Sequence, residues 1–152
     1  MAEPHLRTIR LLAECYQAFE QASGRHVREL GLTPPQFDII ATLGRTPGMS
    51  CRELGEQTLI TKGTLTGVLD RLEARGYVVR TPSVEDRRSV LVRLTDAGEA
   101  LFEQVFPAHV RHLKSRFAGF AESDLSGINQ ALARLRDALV EPVAEVAEGG
   151  AR

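Results

Sequence analysis

The 152-residue chain is poor in cysteine, has no long apolar run and carries almost no net charge. Two cysteines are too few for a disulfide scaffold, which indicates a reducing compartment, and we expect the cytoplasm. No stretch approaches the roughly 18 consecutive apolar residues that a membrane span needs. No basic segment leads into an apolar one at the start, so neither secretion nor a membrane partner is expected.

The composition is that of a folded globular protein. Hydrophobic residues make up 43% and charged residues 26%, which excludes long disorder and collagen-like repeats. The length suits one ordinary domain with helical extensions. The formal net charge of −1 argues, at first sight, against a nucleic-acid partner.

Apolar spacing and capping signals predict four helices, a β-hairpin and two more helices. Thr33 with Gln36, and Ser50 with Glu53, have the spacing of capping boxes that open helices. The predicted helices cover residues 5–30, 33–46, 50–57, 61–75 (capped by Thr61), 96–120 and 123 onward, and the strands cover residues 77–80 and 90–94. The fold class is therefore mainly α with a small β-hairpin.

Three regions follow from this order. Residues 33–98 are expected to form a compact central lobe, because they can bury their own core. The flanking regions, residues 1–32 and 99–152, are long helices with apolar stripes. A symmetric homodimer would bury these stripes, so we interpret both regions as dimerisation helices. The alternative is a monomer in which the flanking helices pack on one another.

Two helices joined by a short turn and followed by a basic hairpin form the pattern of a winged helix-turn-helix. In this motif the second helix, here residues 61–75, enters the DNA major groove. Gly63 and Gly67 lie opposite its apolar stripe, although each glycine costs a helix about 1 kcal/mol relative to alanine. A bare face is useful where another molecule must come close. The alternative is an ordinary solvated face with tolerated glycines.

The hairpin loop adds a second candidate contact. Arg87 and Arg88 lie at its tip, and arginine inserts readily into a narrow minor groove. We expect Asp86 to hold the Arg88 guanidinium in a planar ion pair. The alternative is a solubilising loop. The predicted DNA-contacting residues are Ser50, Arg52, Thr61, Lys62, Gly63, Thr64, Thr66, Gly67, Arg71, Asp86, Arg87 and Arg88.

Charge counted by segment changes the first impression. Residues 45–93 carry nine Lys or Arg against six Asp or Glu, a net charge of +3. The rest of the chain carries ten basic and fourteen acidic residues, a net charge of −4. Positive charge is thus concentrated in the segment that would face DNA. The excess is modest, which favours site-specific binding over general coating of DNA.

These residues resemble the MarR family of transcriptional regulators. The family's wing signature is Asp, any residue, Arg, five residues, Leu-Thr, two residues and Gly, and Asp86, Arg88, Leu94, Thr95 and Gly98 meet every position. The resemblance is close over residues 30–100, and its other matching segments are residues 32–37, 53–56, 63–66 and 69–78.

The resemblance implies a homodimer with one winged-helix lobe on each subunit and an interface made by the first and last helices. Such regulators usually repress genes by covering a near-palindromic double-stranded operator. They release it when a small, often phenolic, effector binds, or when a cysteine is oxidised. No cofactor and no metal are expected.

The lobe looks most like the organic-hydroperoxide-sensing branch of the family. That branch uses a cysteine early in the first helix, but a gapless count back from Pro35 places this position at Ile9. Cys15, beside Tyr16, and Cys51, in the first turn of a helix, stay candidate redox or ligand residues. An inert, half-buried Cys15 is the favoured alternative.

The histidines show little pattern in the sequence. His109 and His112 have a spacing that would let them share a metal ion, but no third ligand is evident, so we expect surface histidines. His5 and His26 belong to no recognisable motif.

The sequence leaves three function classes to weigh against one another. The leading one is a DNA-binding repressor released by a small ligand, with redox control through Cys15 or Cys51 as its variant. The second is a winged-helix module that binds an acidic protein. An enzyme is disfavoured, because the sequence has no phosphate-binding glycine loop and no nucleophile elbow.

Overall fold

The computed structural model describes residues 3–58, 60–86 and 88–140 and has the predicted mainly helical fold. The helices of this part are α1 (Pro4–Glu29), α2 (Pro34–Leu43), α3 (Cys51–Thr58), α4 (Lys62–Ala74), α5 (Asp96–Arg116) and α6 (Glu122–Val140). Its strands are β1 (Met49–Ser50), β2 (Val78–Pro82) and β3 (Val90–Leu94). The chain forms two compact units, one extending through Leu113 and the other starting at Lys114.

Both predicted capping boxes are confirmed. The Thr33 hydroxyl accepts a hydrogen bond from the Gln36 amide at 3.4 Å, and the Gln36 side chain accepts one from the Thr33 amide at 3.1 Å. Ser50 and Glu53 exchange the same two bonds at 3.2 and 2.8 Å. Each box satisfies amide groups that the first helical turn leaves unpaired, so the starts of α2 and α3 are encoded locally.

The sheet contains a short strand that the sequence pattern did not reveal. Strand β1 pairs antiparallel with β3, with Met49 opposite Val92, so the strand order is β1-β3-β2. Gly48 precedes it with φ of +105°, and a Cβ atom there would lie 2.7 Å from the Val92 carbonyl oxygen. Two residues are too few to show alternation, but the pairing fastens the start of α3 to the hairpin.

The core lies in the central lobe. Ile39, Ile40, Leu54, Leu72 and Val92 are fully buried. Helix α5 adds Phe102 and Val105 to the same cluster. The predicted apolar stripe of the fourth helix is confirmed as core, since its members Leu65, Val68, Leu69 and Leu72 are all buried.

The end of the wing signature has a packing role. The Thr95 hydroxyl donates to the Gly76 carbonyl at 2.6 Å and accepts from the Gly98 amide at 3.1 Å. A Cβ atom at Gly98 would lie 2.1 Å from the Tyr77 carbonyl oxygen. These contacts join the hairpin to the start of α5, which explains why the signature needs threonine and glycine at these positions.

The apolar stripes of the flanking helices are exposed within each unit. On α1, Ile9, Tyr16 and Phe19 are 50 to 62% exposed, and only Gly24 and Val27 near the end of the helix are buried. No described residue of α6 is buried, and Leu132 and Leu139 are about half exposed or more. In the part of the chain that the structure covers, no helix is both long enough and apolar enough to cross a membrane.

The prediction of surface histidines on the fifth helix is wrong for His109. Its side chain is only 4% exposed, because it lies on the same face of α5 as Phe102 and Val105. The spacing of three and then four residues from Phe102 through Val105 to His109 is that of one buried helix face, which is the sequence signal for burial of His109.

Candidate nucleic-acid interface

Helix α4 presents a bare face on the side opposite the core. Gly63, Gly67 and Ala74 are exposed on this face. A Cβ atom added at Gly63 or at Gly67 would meet no heavy atom within 4 Å. Close packing inside the described chain therefore does not require these glycines, and the helix backbone is open to another molecule.

Polar side chains border the bare face. Lys62, Thr64, Thr66 and Arg71 are exposed, as predicted for groups that contact phosphates and bases. Thr61 occupies the N-cap position, but its predicted role as a side-chain cap is wrong. Its hydroxyl donates to the Thr64 hydroxyl at 3.2 Å, because the two side chains meet on the exposed side of the first turn.

The start of α3 supplies two further predicted residues. The Ser50 side chain is engaged in the capping box. Arg52 points to solvent and forms an ion pair with Glu56 at 3.3 Å, with 86% of its side chain exposed. Exposed pairs of this kind are weak, so the Arg52 guanidinium can exchange Glu56 for a phosphate at little cost.

The wing loop is ordered through its backbone. The Asp86 carboxylate accepts from the Arg88 amide at 3.0 Å, and the Asp86 carbonyl accepts from the Ser89 amide at 3.0 Å. The predicted ion pair between Asp86 and the Arg88 guanidinium is therefore wrong, because the carboxylate caps the turn instead. Among the described residues no ion pair holds the exposed Arg88 guanidinium. Arg87 lies outside the described residues.

The structure removes some arginines from the predicted positive surface. Arg80 on β2 donates to Asp70 at 2.6 Å and, through its Nε, to Glu73 at 2.9 Å, and both of these acids belong to α4. The hydrogen bond that Arg80 donates to Asp70, followed by the bond that it donates to Glu73, raises the pKa of Arg80. These bonds connect α4 to the hairpin, so the Arg80 guanidinium is engaged by protein carboxylates and is not a free positive charge.

Two other arginines in the basic segment are also engaged by protein. Arg45 makes two bonds of 2.8 Å to Glu103, and these hydrogen bonds raise the pKa of Arg45. Arg75 donates to the Gly31 carbonyl at 3.3 Å and lies over the Tyr77 ring. The charge count by segment therefore overstates the positive charge that is available to DNA.

The candidate ligand and redox residues lie in different environments. Cys15 and Tyr16 are exposed neighbours on α1. Cys51 is half-buried as the first residue of α3 and packs against the lobe core. Both cysteines are free thiols. The favoured expectation of a half-buried Cys15 is wrong, because this part of α1 has no covering element within its unit.

Known proteins are similar to this chain in sequence and in structure. A family model described as "MarR family" matches residues 30–89, which contain α2 to α4, strand β2 and the hairpin loop up to the start of β3. The HTH-type transcriptional regulator PecS of Dickeya dadantii is 37% identical over 112 residues, covering 72% of this chain and 68% of PecS. The chain belongs to the MarR family.

A further relative and a solved structure are also similar to this chain. The organic hydroperoxide resistance transcriptional regulator of Bacillus subtilis is 38% identical over 76 residues, covering 50% of this chain and 52% of that protein. The solved structure of BpsR from Bordetella bronchiseptica, whose DNA binding is regulated by 6-hydroxynicotinic acid, is 29% identical with a TM-score of 0.76. It covers 86% of this chain and 99% of BpsR.

The predicted function class, a DNA-binding transcriptional regulator, is confirmed by these relatives. The chain is a DNA-binding transcriptional regulator with a winged-helix fold, and PecS and the Bacillus subtilis relative are named as transcriptional regulators, not as enzymes.

Proposed function

We propose that the chain is a homodimeric repressor that reads a near-palindromic operator and is released by a small aromatic effector. The observation that carries this proposal is the bare face of α4, where Gly63 and Gly67 have open space around them. A major groove admits a helix most closely where that helix lacks side chains.

The proposed contacts fall into two groups, one at the major groove and its phosphates and one in the minor groove. The proposed recognition helix is α4, with Lys62 and Arg71 on phosphates and with Thr64 and Thr66 beside base edges. Arg52 on α3 adds a further phosphate contact. The wing carries Arg88 into the adjacent minor groove, where a narrow groove concentrates negative potential.

The proposed dimer follows from the exposed stripes. Large apolar side chains such as Ile9 and Phe19 on α1, and Leu132 and Leu139 on α6, are exposed in single units. Contiguous apolar surface of this kind marks an interface in most proteins that remain in solution. A two-fold dimer built from the flanking helices would cover both stripes and present two copies of α4 to two half-sites.

The proposed effector class rests on a relative. BpsR, whose DNA binding is regulated by 6-hydroxynicotinic acid, has a similar fold along almost its whole length. We extend this property to the present chain as a small hydroxylated aromatic effector. Such an effector shifts operator binding only as far as its affinity differs between the bound and released forms.

Selection from a pool of random duplex DNA tests the proposed function. We expect the purified chain to enrich an inverted repeat with half-site centres about 10 base pairs apart, or a multiple of that spacing. Sedimentation should give twice the chain mass for the free protein and two chains per duplex for the complex with DNA. Enrichment of no sequence, with tight binding to an acidic protein partner, would favour the protein-interaction module.

Effector release separates the ligand and redox alternatives. We expect the double variant Cys15→Ser, Cys51→Ser to bind the selected operator normally and to be released by hydroxylated aromatic acids as efficiently as the parent. The physical reason is that a non-covalent effector needs no thiol. Fluorescence anisotropy of labelled operator measures both steps. If hydroperoxide releases the parent but not this variant, while aromatic acids release neither, redox control replaces ligand control.

A further inference from the structure

Three histidines that are far apart in the sequence meet in the first compact unit. His26 comes from α1, and His109 and His112 come from α5. The Nδ1 atoms of His26 and His109 are 2.9 Å apart, within hydrogen-bond distance. The His26 and His112 rings stack in parallel, with centroids 4.1 Å apart and an angle of 2° between their planes.

Polar and aromatic groups surround His109 within the cluster. His109 is buried, its Nε2 lies 3.0 Å from the Ser23 hydroxyl, and the Phe37 ring of α2 packs edge-on against it with centroids 4.6 Å apart. Glu29 of α1 is the carboxylate that acts on His26. Phe37 also belongs to the lobe core, so the cluster lies where α1 and α5 contact the DNA-binding lobe.

Proton counting shows that this arrangement tolerates one charge but not two. In the 2.9 Å contact one Nδ1 atom must donate while the other accepts. A singly protonated pair keeps the contact, because His109 can donate from Nδ1 to His26 and from Nε2 to Ser23. Protonating His26 as well removes the accepting lone pair and places two positive charges in contact.

The electrostatic environment also disfavours the protonated forms of His26 and His109. Burial, followed by the charge on His112, lowers the pKa of His26, while Glu29 opposes this shift. Burial, followed by His26 and His112, lowers the pKa of His109. Because both folded-state values lie below the ordinary value of 6.5, the neutral cluster stabilises the fold above that pH. This stabilisation is lost as the pH falls below 6.5 and through the folded-state values.

The ring geometry does not suit a metal ion. The lone pairs of stacked parallel rings lie in parallel planes and do not converge on one point. Within the described ranges, no group of three or more His, Cys, Asp or Glu side chains is arranged to hold a metal. Proton binding is therefore the chemistry that the cluster supports.

We propose that the cluster of His26, His109 and His112 is a pH-sensitive joint, and that protonation of both His26 and His109 in mildly acidic solution opens the contact between α1, α5 and α2 and weakens operator binding. The loss of affinity rests on the proposed function. An open joint leaves the lobe free to reorient, so only a fraction of molecules holds the geometry that DNA requires, and the apparent affinity falls by that fraction.

The full-length variant His26→Asn provides the first test. Its amide can replace the Nδ1 partner of His109 but cannot become charged. Between about pH 7.5 and about pH 5.5 we expect operator affinity to fall roughly tenfold for the parent and less than about threefold for His26→Asn. The matched control is His5→Asn at an exposed site on the same helix, and it should follow the parent. Equal losses in the parent and in His26→Asn would overturn the proposal.

A measurement without DNA keeps the joint testable if the variant does not fold or if no operator is found. Side-chain NMR of the parent should show the imidazole signals of His26 and His109 titrating together with the ring signals of Phe37, at a midpoint below about 6.5. Phe37 signals that stay constant while both histidines titrate would show that protonation opens nothing. Failure to bind DNA at neutral pH, with the NMR transition present, would contradict the proposed function and leave the joint standing.

Discussion

The variant Arg88→Ala is expected to bind operator DNA roughly a hundredfold more weakly than the parent while keeping its fold. A good arginine contact to DNA is worth about 1–3 kcal/mol, and a dimer loses two of them. The fold should survive, because the wing turn is held by the Asp86 carboxylate and by backbone bonds that do not involve the Arg88 side chain. Anisotropy titration gives the affinity, and thermal unfolding gives the stability.

The matched control for this variant is Arg134→Ala. Arg134 is an exposed arginine on α6, outside the lobe, so its removal deletes the same charge without touching the proposed interface. We expect its affinity to stay within about twofold of the parent, because Arg134 is not among the proposed DNA-contacting residues. The slope of log affinity against log salt should become shallower by about two for Arg88→Ala only. Unchanged affinity in Arg88→Ala would contradict the wing assignment.

The variant Gly67→Gln should raise the stability of the fold and lower the affinity for operator DNA. Replacing a helical glycine with a good helix former stabilises the folded chain by up to about 1 kcal/mol, and the added Cβ meets nothing within 4 Å. The same side chain would stand between α4 and the floor of the major groove. We therefore expect a more stable protein with operator affinity reduced roughly a hundredfold, measured by urea unfolding and by anisotropy.

Gly127→Gln controls for a general effect of replacing glycine. Gly127 also lies within a helix and has open space around its Cβ position, but it belongs to α6. This variant should gain similar stability and keep its operator affinity. If Gly67→Gln binds as well as the parent, the bare face of α4 does not approach DNA, and the two glycines are only tolerated.

The local features of the lobe were predictable because they depend on neighbouring residues. The capping boxes opened by Thr33 and by Ser50 are confirmed, since each needs only two side chains three residues apart. The buried stripe and bare face of α4 are likewise set by helical spacing alone. For the same reason the winged helix-turn-helix, the family and the exposed residues on α4 followed from sequence patterns.

Contacts between distant segments were not predictable in this way. Sequence spacing placed Arg80 among the DNA-facing charges, but the pairing of the strands brings it to Asp70 and Glu73. It also suggested an ion pair for Asp86, whereas the wing turn offers the backbone amide of Arg88 at a better position. For Arg80 only the tertiary arrangement selected the two acids, whereas for Asp86 the local conformation of the turn selected the backbone amide.

The sequence by itself therefore determined the type of protein, a winged-helix regulator of the MarR family, because short-range spacing encodes helices, caps and turns. Only the tertiary structure decided which charges are free and that His26 meets His109, residues more than eighty positions apart. No periodicity links side chains at such a separation. Their meeting depends on how α1 and α5 pack around Phe37, which is a property of the assembled core.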